Sequence, residues 1–206
     1  MRGIIFSFEW EFLYLIKQVS IMSDVIPSGK EVKVHDKYFV PYISAEKIGD
    51  RIKELGQKIV AECGDKEPLF IVILNGAFMF ASDLIKEVPI DCQVTFTKLS
   101  SYVGQESTGE VKEVAAIDID VKDRTVIIVE DIVDTGNTMH HYLKDLKARG
   151  VGDVKIASLL SKPEALQHNI HIDYLGFEID NKFVIGYGLD YDYKGRNFPD
   201  IYQLKS

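Results

Sequence analysis

Short runs of apolar residues recur along the chain. Residues 69–74, 126–129 and 154–160 are dominated by apolar side chains, a pattern typical of strands buried on both faces of a parallel sheet. Residues 91–99 instead alternate between apolar and polar side chains, which predicts a strand with one exposed face. Weaker strand patterns cover residues 38–40, 172–177 and 183–187. Together these stretches predict the strands of a sheet.

Between the strands, apolar residues recur every three or four positions, which predicts helices. Ser44 caps the first helix, whose apolar face consists of Ile48, Ile52, Leu55, Ile59 and Val60. Further helices are predicted at 77–88 and 139–148, and Gly150 suits the end of the second of these. Strand and helix patterns alternate from Ser44 to Leu160. The predicted fold class is therefore α/β, a mostly parallel twisted sheet with helices on both faces.

Residues 1–22 differ from the rest of the chain. They are apolar but interrupted by Glu9, Glu11 and Lys17, so the stretch is too short and too charged for a membrane-spanning helix. It also lacks the cleavage site of a signal peptide, and an amphipathic helix at a membrane surface is a weaker alternative. We interpret 1–22 as an N-terminal extension before a start at Met22, and 23–206 as one domain.

Composition narrows the possible partners. The chain is 46% hydrophobic and 27% charged, which is ordinary for a globular domain. A net charge of −8 argues against nucleic acid or an anionic membrane as a partner. It does not exclude phosphate binding, because backbone amides and a divalent ion supply local positive potential. Cys63 and Cys92 lack ligand spacing, so we expect a reducing, cytoplasmic location.

The most informative stretch is 126–138, in which an apolar strand is followed by acids and a small polar loop. Its polar residues are Glu130, Asp131, Asp134, Thr135, Asn137 and Thr138, with Gly136 between them. Any one of these residues could be an ordinary strand end or helix cap. In this order, however, they suit an anion site at a helix N-terminus beside carboxylates. A magnesium-bound, polyhydroxylated phosphate ester would use all of these groups.

Polar residues follow the other predicted strands as well. Asn75 and Gly76 follow the first apolar run, and Lys162 follows the strand at 154–160. In an open α/β sheet such strand ends meet along one edge, where ligands bind. Residues 100–109 are small and polar with a single aromatic residue, Tyr102, which suits either a plain surface loop or a lid over the site.

The stretch 126–138 resembles the phosphoribosyl pyrophosphate (PRPP) motif of the purine phosphoribosyltransferases. That motif has apolar residues, two acids, two apolar residues, Asp, and then a Thr-Gly-x-Thr loop. Further blocks resemble the hypoxanthine-guanine members of this family in the same order: 74–76, 101–102, 158–162, 176–178, 182–187 and 189–191, followed by Arg196. The resemblance covers most of residues 30–202. It implies the type I phosphoribosyltransferase fold, with a small hood over the active site.

The resemblance also implies an activity, the transfer of 5-phosphoribosyl from PRPP to N9 of a 6-oxopurine. Asp134 matches the general base, and burial beside other acids would make it a stronger base. The residues implied for PRPP are Leu74, Asn75, Gly76, Ser101, Tyr102, Glu130, Asp131, Asp134, Thr135, Gly136, Asn137, Thr138 and Arg196. Those implied near the purine are Lys162, Phe183, Val184 and Asp190. Mg²⁺ is the implied cofactor, near Glu130, Asp131 and Asp190.

The matching blocks imply a cis peptide bond and also show two departures from the family pattern. The family has a non-proline cis peptide bond at the position of Leu74-Asn75, so we expect one there. Asn75 and Asn137 stand where many relatives carry Lys, so a direct charge contribution to binding the PRPP phosphates is lost at both positions.

Two other functions are compatible with the sequence. A PRPP-sensing regulatory protein would keep the phosphate site, but it would not need Asp134 as a base or Lys162 and Phe183 for a purine. A xanthine or adenine phosphoribosyltransferase is the second alternative, because discrimination at the purine C2 depends on backbone carbonyls that the sequence does not reveal. The family further implies a homo-oligomer, either a dimer or a tetramer.

Overall fold

The computed structural model describes residues 29–101 and 111–205. Its strands are β1 (Val32–Val34), β2 (Lys37–Ile43), β3 (Leu69–Leu74), β4 (Gln93–Ser101), β5 (Val111–Ala115), β6 (Thr125–Val133), β7 (Asp153–Ser161), β8 (Tyr174–Glu178), β9 (Val184–Ile185) and β10 (Ile201–Leu204). Its helices are α1 (Ala45–Cys63), α2 (Phe78–Lys86) and α3 (Asn137–Ala148), and a single 3₁₀ turn covers Pro163–Ala165. The predicted extension at 1–22 and Tyr102 of the predicted lid lie outside the described residues.

The strands form a large sheet and a small one. The large sheet has the order β5-β4-β3-β6-β7-β8. All neighbours in it are parallel except the edge strand β5, which runs antiparallel to β4. The carboxyl ends of β3, β6 and β7 therefore lie at the same edge. The prediction of a mostly parallel sheet is confirmed.

Helices cover both faces of this sheet, as predicted. Phe70 and Val72 of β3 pack with α1 and α2 on one face. Leu69, Ile71 and Ile73 of the same strand point the other way and pack with α3. Successive side chains of a strand alternate between its faces, so a strand covered on both sides must be apolar throughout. This explains the uninterrupted apolar run of β3.

The helix ends also follow from their residues. Ser44 caps α1 through its side chain, which accepts a hydrogen bond from the Lys47 amide at 3.3 Å. Asp200 adds a second acceptor there, 2.7 Å from the amide of Ala45, and a carboxylate at a helix N-terminus is stabilising. Gly150 follows α3 with φ of 76°, and its amide donates to the Lys147 carbonyl. This is the conformation that glycine adopts at low cost after a helix.

The small sheet has the order β1-β2-β10-β9 and its own apolar cluster. Its centre is formed by Phe39, Ile185 and Tyr202, all of which are buried. Strand β9 connects this sheet to the large one, because Val184 belongs to the same cluster as Leu160 of β7. The small sheet therefore corresponds to the expected hood.

Several predicted strand boundaries are wrong, among them those of β6 and β9. Strand β6 does not end at Val129 but runs to Val133, because β7 continues to pair with it up to Ser161. The strand predicted at 183–187 is only Val184–Ile185. Residues Gly186 and Tyr187 both have positive φ, of 96° and 47°, and an extended strand cannot continue through that conformation. Within the described residues, the structure has no helix with both the length and the apolar character needed to cross a membrane.

Candidate active site

Three chain segments meet at the carboxyl edge of the large sheet. The Leu74-Asn75 peptide bond is cis, as expected. Gly76, directly after it, lies against the carboxylate of Asp131, so that a Cβ atom at residue 76 would overlap the carboxylate oxygens. A Cβ atom at Gly188, from the loop after β9, would likewise overlap the carbonyl oxygen of Gly76. We call residues 74–76 the cis loop. Glycines at positions 76 and 188 allow β6, the cis loop and the hood to approach one another.

Glu130 and Asp131 form an acidic pair at this meeting point. Burial raises the pKa of Glu130 well above its usual range, and the charge of Asp131 adds to the effect. Burial also raises the pKa of Asp131, against the opposing influence of its hydrogen bonds and of Arg196. Oε2 of Glu130 is inaccessible to solvent and has no hydrogen-bond partner in the structure. A buried acceptor in this state gains from any cation or hydroxyl donor that reaches it.

Asp134 and Lys162 lie next to each other, which the sequence did not predict. Nζ of Lys162 donates to Oδ2 of Asp134 at 2.7 Å. Lys162 is buried, with 7% of its surface exposed, whereas the side chain of Asp134 is 46% exposed. Asp134 is therefore not enclosed beside other acids: it directly follows Val133, the last residue of β6, whereas Glu130 and Asp131 lie within the strand and are half-buried.

The loop after β6 forms one wall of a cleft of about 230 Å³. The cleft is lined by residues of β3, β4, β6 and α3, among them Leu74, Glu130, Asp134, Thr135, Gly136 and Thr138. Gly136 has φ of 77° and precedes the first turn of α3. The backbone amide of Asn137 donates to the Thr135 hydroxyl at 3.3 Å, and the amides of this first turn give the helix N-terminus a partial positive charge. The helix N-terminus of this cleft suits an anion, and the carboxylates of Glu130 and Asp134 in the same lining suit a cation or a hydroxyl donor.

Asn137 is anchored from outside the loop. Its Oδ1 lies 2.6 Å from Nε2 of His168, and its Nδ2 donates to Gln167 at 3.1 Å. The backbone amide of Gln167 donates to the backbone carbonyl of Thr135 at 2.9 Å. Gln167 and His168, in the segment after the 3₁₀ turn, thus hold the loop after β6 in place. The oxygen and the nitrogen of the Asn137 side-chain amide both have hydrogen-bond partners in this arrangement.

Four of the predicted residues, Phe183, Val184, Asp190 and Arg196, lie on the hood side. Phe183 is 43% exposed and Val184 beside it is buried. Asp190 and Arg196 form an ion pair at 2.7 Å, and Arg196 also donates to the Gly188 carbonyl at 2.6 Å. The pair therefore fixes the loop whose Gly188 contacts Gly76. Ser101 is the last residue of β4.

Similarity to known proteins identifies the family to which this chain belongs. Residues 42–192 match the phosphoribosyl transferase domain family. A hypoxanthine-guanine phosphoribosyltransferase of Lactococcus lactis is 44% identical over 164 residues, covering 79% of this chain and 89% of that protein. Its counterpart in Streptococcus thermophilus is 42% identical, covering 79% of this chain and 91% of that protein. This chain belongs to the hypoxanthine-guanine phosphoribosyltransferase family.

A solved structure agrees with this family assignment. The hypoxanthine phosphoribosyltransferase of Staphylococcus aureus is 37% identical, with a TM-score of 0.77, and the match covers 80% of this chain and 90% of that one. The type I phosphoribosyltransferase fold implied by the sequence motifs is thus confirmed.

Some contacts beside this candidate site could not be predicted from the sequence. Tyr187 donates to Asp83 of α2 through a short hydrogen bond, which ties the hood to the helix after the cis loop. Burial raises the pKa of Tyr187, and the Asp83 carboxylate adds to this, so the phenol stays a donor at physiological pH. Such pairs depend on the three-dimensional approach of distant segments, which a motif does not encode.

Proposed function

We propose that this protein transfers the 5-phosphoribosyl group of PRPP to N9 of a 6-oxopurine, hypoxanthine and also guanine, releasing pyrophosphate in purine salvage. The observation that carries the proposal is the 2.7 Å contact between Asp134 and Lys162. It brings a carboxylate base and a cationic donor together at the mouth of an anion-binding cleft. A protein that only sensed PRPP would need the cleft but neither of these two groups.

The PRPP half of the site comprises the cleft and the segments around it. Thr135, Thr138 and the amides of the first turn of α3 bind the 5′-phosphate. Leu74, Asn75 and Gly76, with Arg196, bind the pyrophosphate. Ser101, the last residue of β4, and Tyr102, which lies outside the described residues, complete the proposed PRPP-binding set. Glu130 and Asp131 accept hydrogen bonds from the ribose hydroxyls, which would satisfy the buried Oε2 of Glu130.

The acidic pair also fits a magnesium ion. Two carboxylates whose pKa values are raised by burial favour a cation beside them. Among the described residues, no three His, Cys, Asp or Glu side chains are grouped to hold a metal. Mg²⁺ would therefore bind to one or two carboxylates and to oxygens of PRPP, its usual mode with phosphate substrates. When bound, it neutralises the charge of the departing pyrophosphate. Asp190 would bind a second ion on the hood side.

Asp134 acts as the general base in the proposed reaction. It accepts a proton from N7 of the purine so that N9 can attack C1 of the ribose. Lys162, which pairs with Asp134 without substrate, donates to O6 of the base, where negative charge develops. Adenine carries an amino donor at this position and cannot accept from Lys162. Phe183 stacks on the base, and the backbone of Val184 meets its edge.

The test is a comparison of initial rates with hypoxanthine, guanine, xanthine and adenine, at fixed PRPP and Mg²⁺. We expect high rates with hypoxanthine and guanine and at least a hundredfold lower rate with adenine, since leaving a buried donor unpaired strongly disfavours a substrate. A preference for adenine would overturn the assignment of Lys162. A preference for xanthine would keep the mechanism and change the substrate.

Two broader proposals accompany this function. We expect a homo-oligomer, a dimer or a tetramer, which light scattering on the purified protein would test. We also expect a cytoplasmic location. Cys63 and Cys92 are both free thiols, consistent with a reducing compartment.

A further inference from the structure

We propose that Lys37 and Tyr191 are positioning residues for the purine, which fix the ring of Phe183 in the orientation on which the base stacks. This inference rests on the proposed function, because it assumes that Phe183 is the stacking residue. Lys37 lies outside the blocks that resemble the family, and Tyr191 ends the block 189–191 without having been assigned a role.

The ring of Phe183 is exposed but not isolated. It is 43% exposed, and its neighbours are rings from two other segments. Tyr191 meets it edge to face, with ring centroids 5.7 Å apart and planes at 84°. Phe39 of β2 lies 6.1 Å from it in a tilted arrangement. Edge-to-face pairs at such distances are favourable and directional, so Tyr191 limits rotation of the Phe183 ring.

Lys37 adds a cation to the same cluster. Its Nζ lies 4.5 Å from the centroid of the Tyr191 ring and 5.6 Å from that of Phe183. Both distances are within the range at which an ammonium group is attracted to an aromatic face. A single charge on β2 thus contacts both rings and links the hood sheet to the loop after β9.

Tyr191 is itself held in place by the chain around it. Its hydroxyl donates to Oδ1 of Asp36 at 2.8 Å. Its backbone exchanges two hydrogen bonds with Lys194, at 2.9 and 3.1 Å. The two residues between them, Asp192 and Tyr193, have φ of 49° and 65°, the conformation of a tight hairpin turn. The turn between β1 and β2 and the hairpin after β9 therefore support the stacking residue together.

The consequence is pre-organisation of the purine site. A stacking ring that must be ordered when the base binds lowers affinity, and a ring ordered beforehand does not. Removing the charge of Lys37 should lower the affinity for inosine monophosphate (IMP) by about two- to fivefold, the range for a partly exposed cation–π contact. The affinity for PRPP should stay unchanged, since Lys37 contacts the purine side alone in this scheme.

The experiment measures the Kd of IMP and the KM of hypoxanthine and PRPP in K37M, which keeps the length of the side chain but not its charge. K33M is the matched control, because Lys33 lies over the ring of Tyr38 at 5.3 Å in the same hairpin and has no role in the proposal. We expect K37M to weaken IMP and hypoxanthine binding alone, K33M to change nothing, and K37R to restore wild-type values. Y191L should weaken IMP binding about tenfold by removing the neighbouring ring.

A double-mutant cycle decides whether Lys37 acts through Phe183. In an F183L background, K37M should have no further effect on IMP affinity. An equal effect in both backgrounds, or an effect on PRPP instead of IMP, would overturn the inference. Wild-type protein that binds IMP without turning over PRPP would refute the proposed function, yet the IMP affinities of the variants would still test the positioning role.

Discussion

At the scale of single residues, the candidate site combines four charged side chains that differ in their exposure to water. Glu130 and Asp131 are carboxylates whose pKa values burial raises, and Lys162 is a buried cation whose observed partner is Asp134. The sequence pattern predicted a role for all four residues, but it did not indicate how their burial differs. Burial depends on where β6 ends, which the apolar run alone placed four residues too early.

Replacing Glu130 by Gln should stabilise the ligand-free protein at neutral pH. Because the folded-state pKa of Glu130 is raised, the folded protein binds the proton more tightly than the unfolded chain does. The stabilisation that this tighter proton binding gives is present below the pKa of Glu130 in the unfolded chain. It is lost as the pH rises through the pKa of Glu130 in the folded protein. E130Q avoids that loss. The free energy of unfolding of E130Q, measured with urea at pH 8, should therefore be about 1 kcal/mol higher than that of the wild type.

The control for this prediction is E178Q, an exposed carboxylate at the end of β8, which should shift the free energy by less than about 0.5 kcal/mol. The same E130Q variant should lose affinity for PRPP. An E130Q protein less stable than wild type at pH 8 would show that Glu130 is not an uncompensated buried acid.

Replacing Asp134 by Asn should separate binding from chemistry. Asn keeps an oxygen that can accept from Lys162, so PRPP binding should change little. It cannot accept the purine proton, and kcat should fall by about 10² to 10⁴, the usual contribution of a general base. Single-turnover kinetics and PRPP titration provide the two readouts. Asp180, an exposed acid paired with Lys182 at 3.2 Å, gives the control D180N, which should leave kcat unchanged.

At the scale of elements, most strands and helices could be read from periodicity, because each buries a face whose pattern matches its geometry. Residues 69–74 were predicted to the residue, since β3 is covered on both sides. The 183–187 strand was overestimated because Tyr187 favours strands by propensity, whereas both Gly186 and Tyr187 have positive φ. The hood contacts of Lys37 and Tyr191 were missed, as no local pattern signals them.

The close approach of the hood to the cis loop makes Gly188 a sensitive position. A Cβ there would collide with the carbonyl oxygen of Gly76, and φ of 100° already disfavours other residues. G188A should therefore separate the two loops and lower kcat/KM for PRPP at least tenfold. G150A shares the positive φ, but its nearest neighbour would be Lys122 at 3.6 Å, an ordinary contact. Equal losses in both variants would attribute the effect to φ and not to the site.

At the scale of the whole molecule, an acidic protein binds a polyanion by concentrating positive potential locally. The net charge is −8, yet the cleft combines a helix N-terminus with Lys162 and Arg196 nearby. Two adjacent carboxylates beside that cleft would repel PRPP unless a cation accompanies it. Composition alone correctly left phosphate binding open, but it could not locate the site.

Mg²⁺ and PRPP should consequently stabilise the fold together more than either does alone. A ligand at a hundred times its Kd raises the free energy of unfolding by about 2.7 kcal/mol, which a thermal melt detects as a higher Tm. We expect PRPP to raise the Tm strongly with Mg²⁺ and weakly with a chelator. In E130Q the difference between these two conditions should shrink. Equal Tm shifts with and without Mg²⁺ would contradict a metal-assisted site.

The most direct test of the account is the simultaneous measurement of IMP and pyrophosphate when purified protein is mixed with PRPP, Mg²⁺ and hypoxanthine. The account predicts that both products form in equal amounts, at a rate that collapses in D134N. Wild-type protein that binds PRPP but forms neither product would contradict it, and would instead identify a PRPP sensor built on the phosphoribosyltransferase fold.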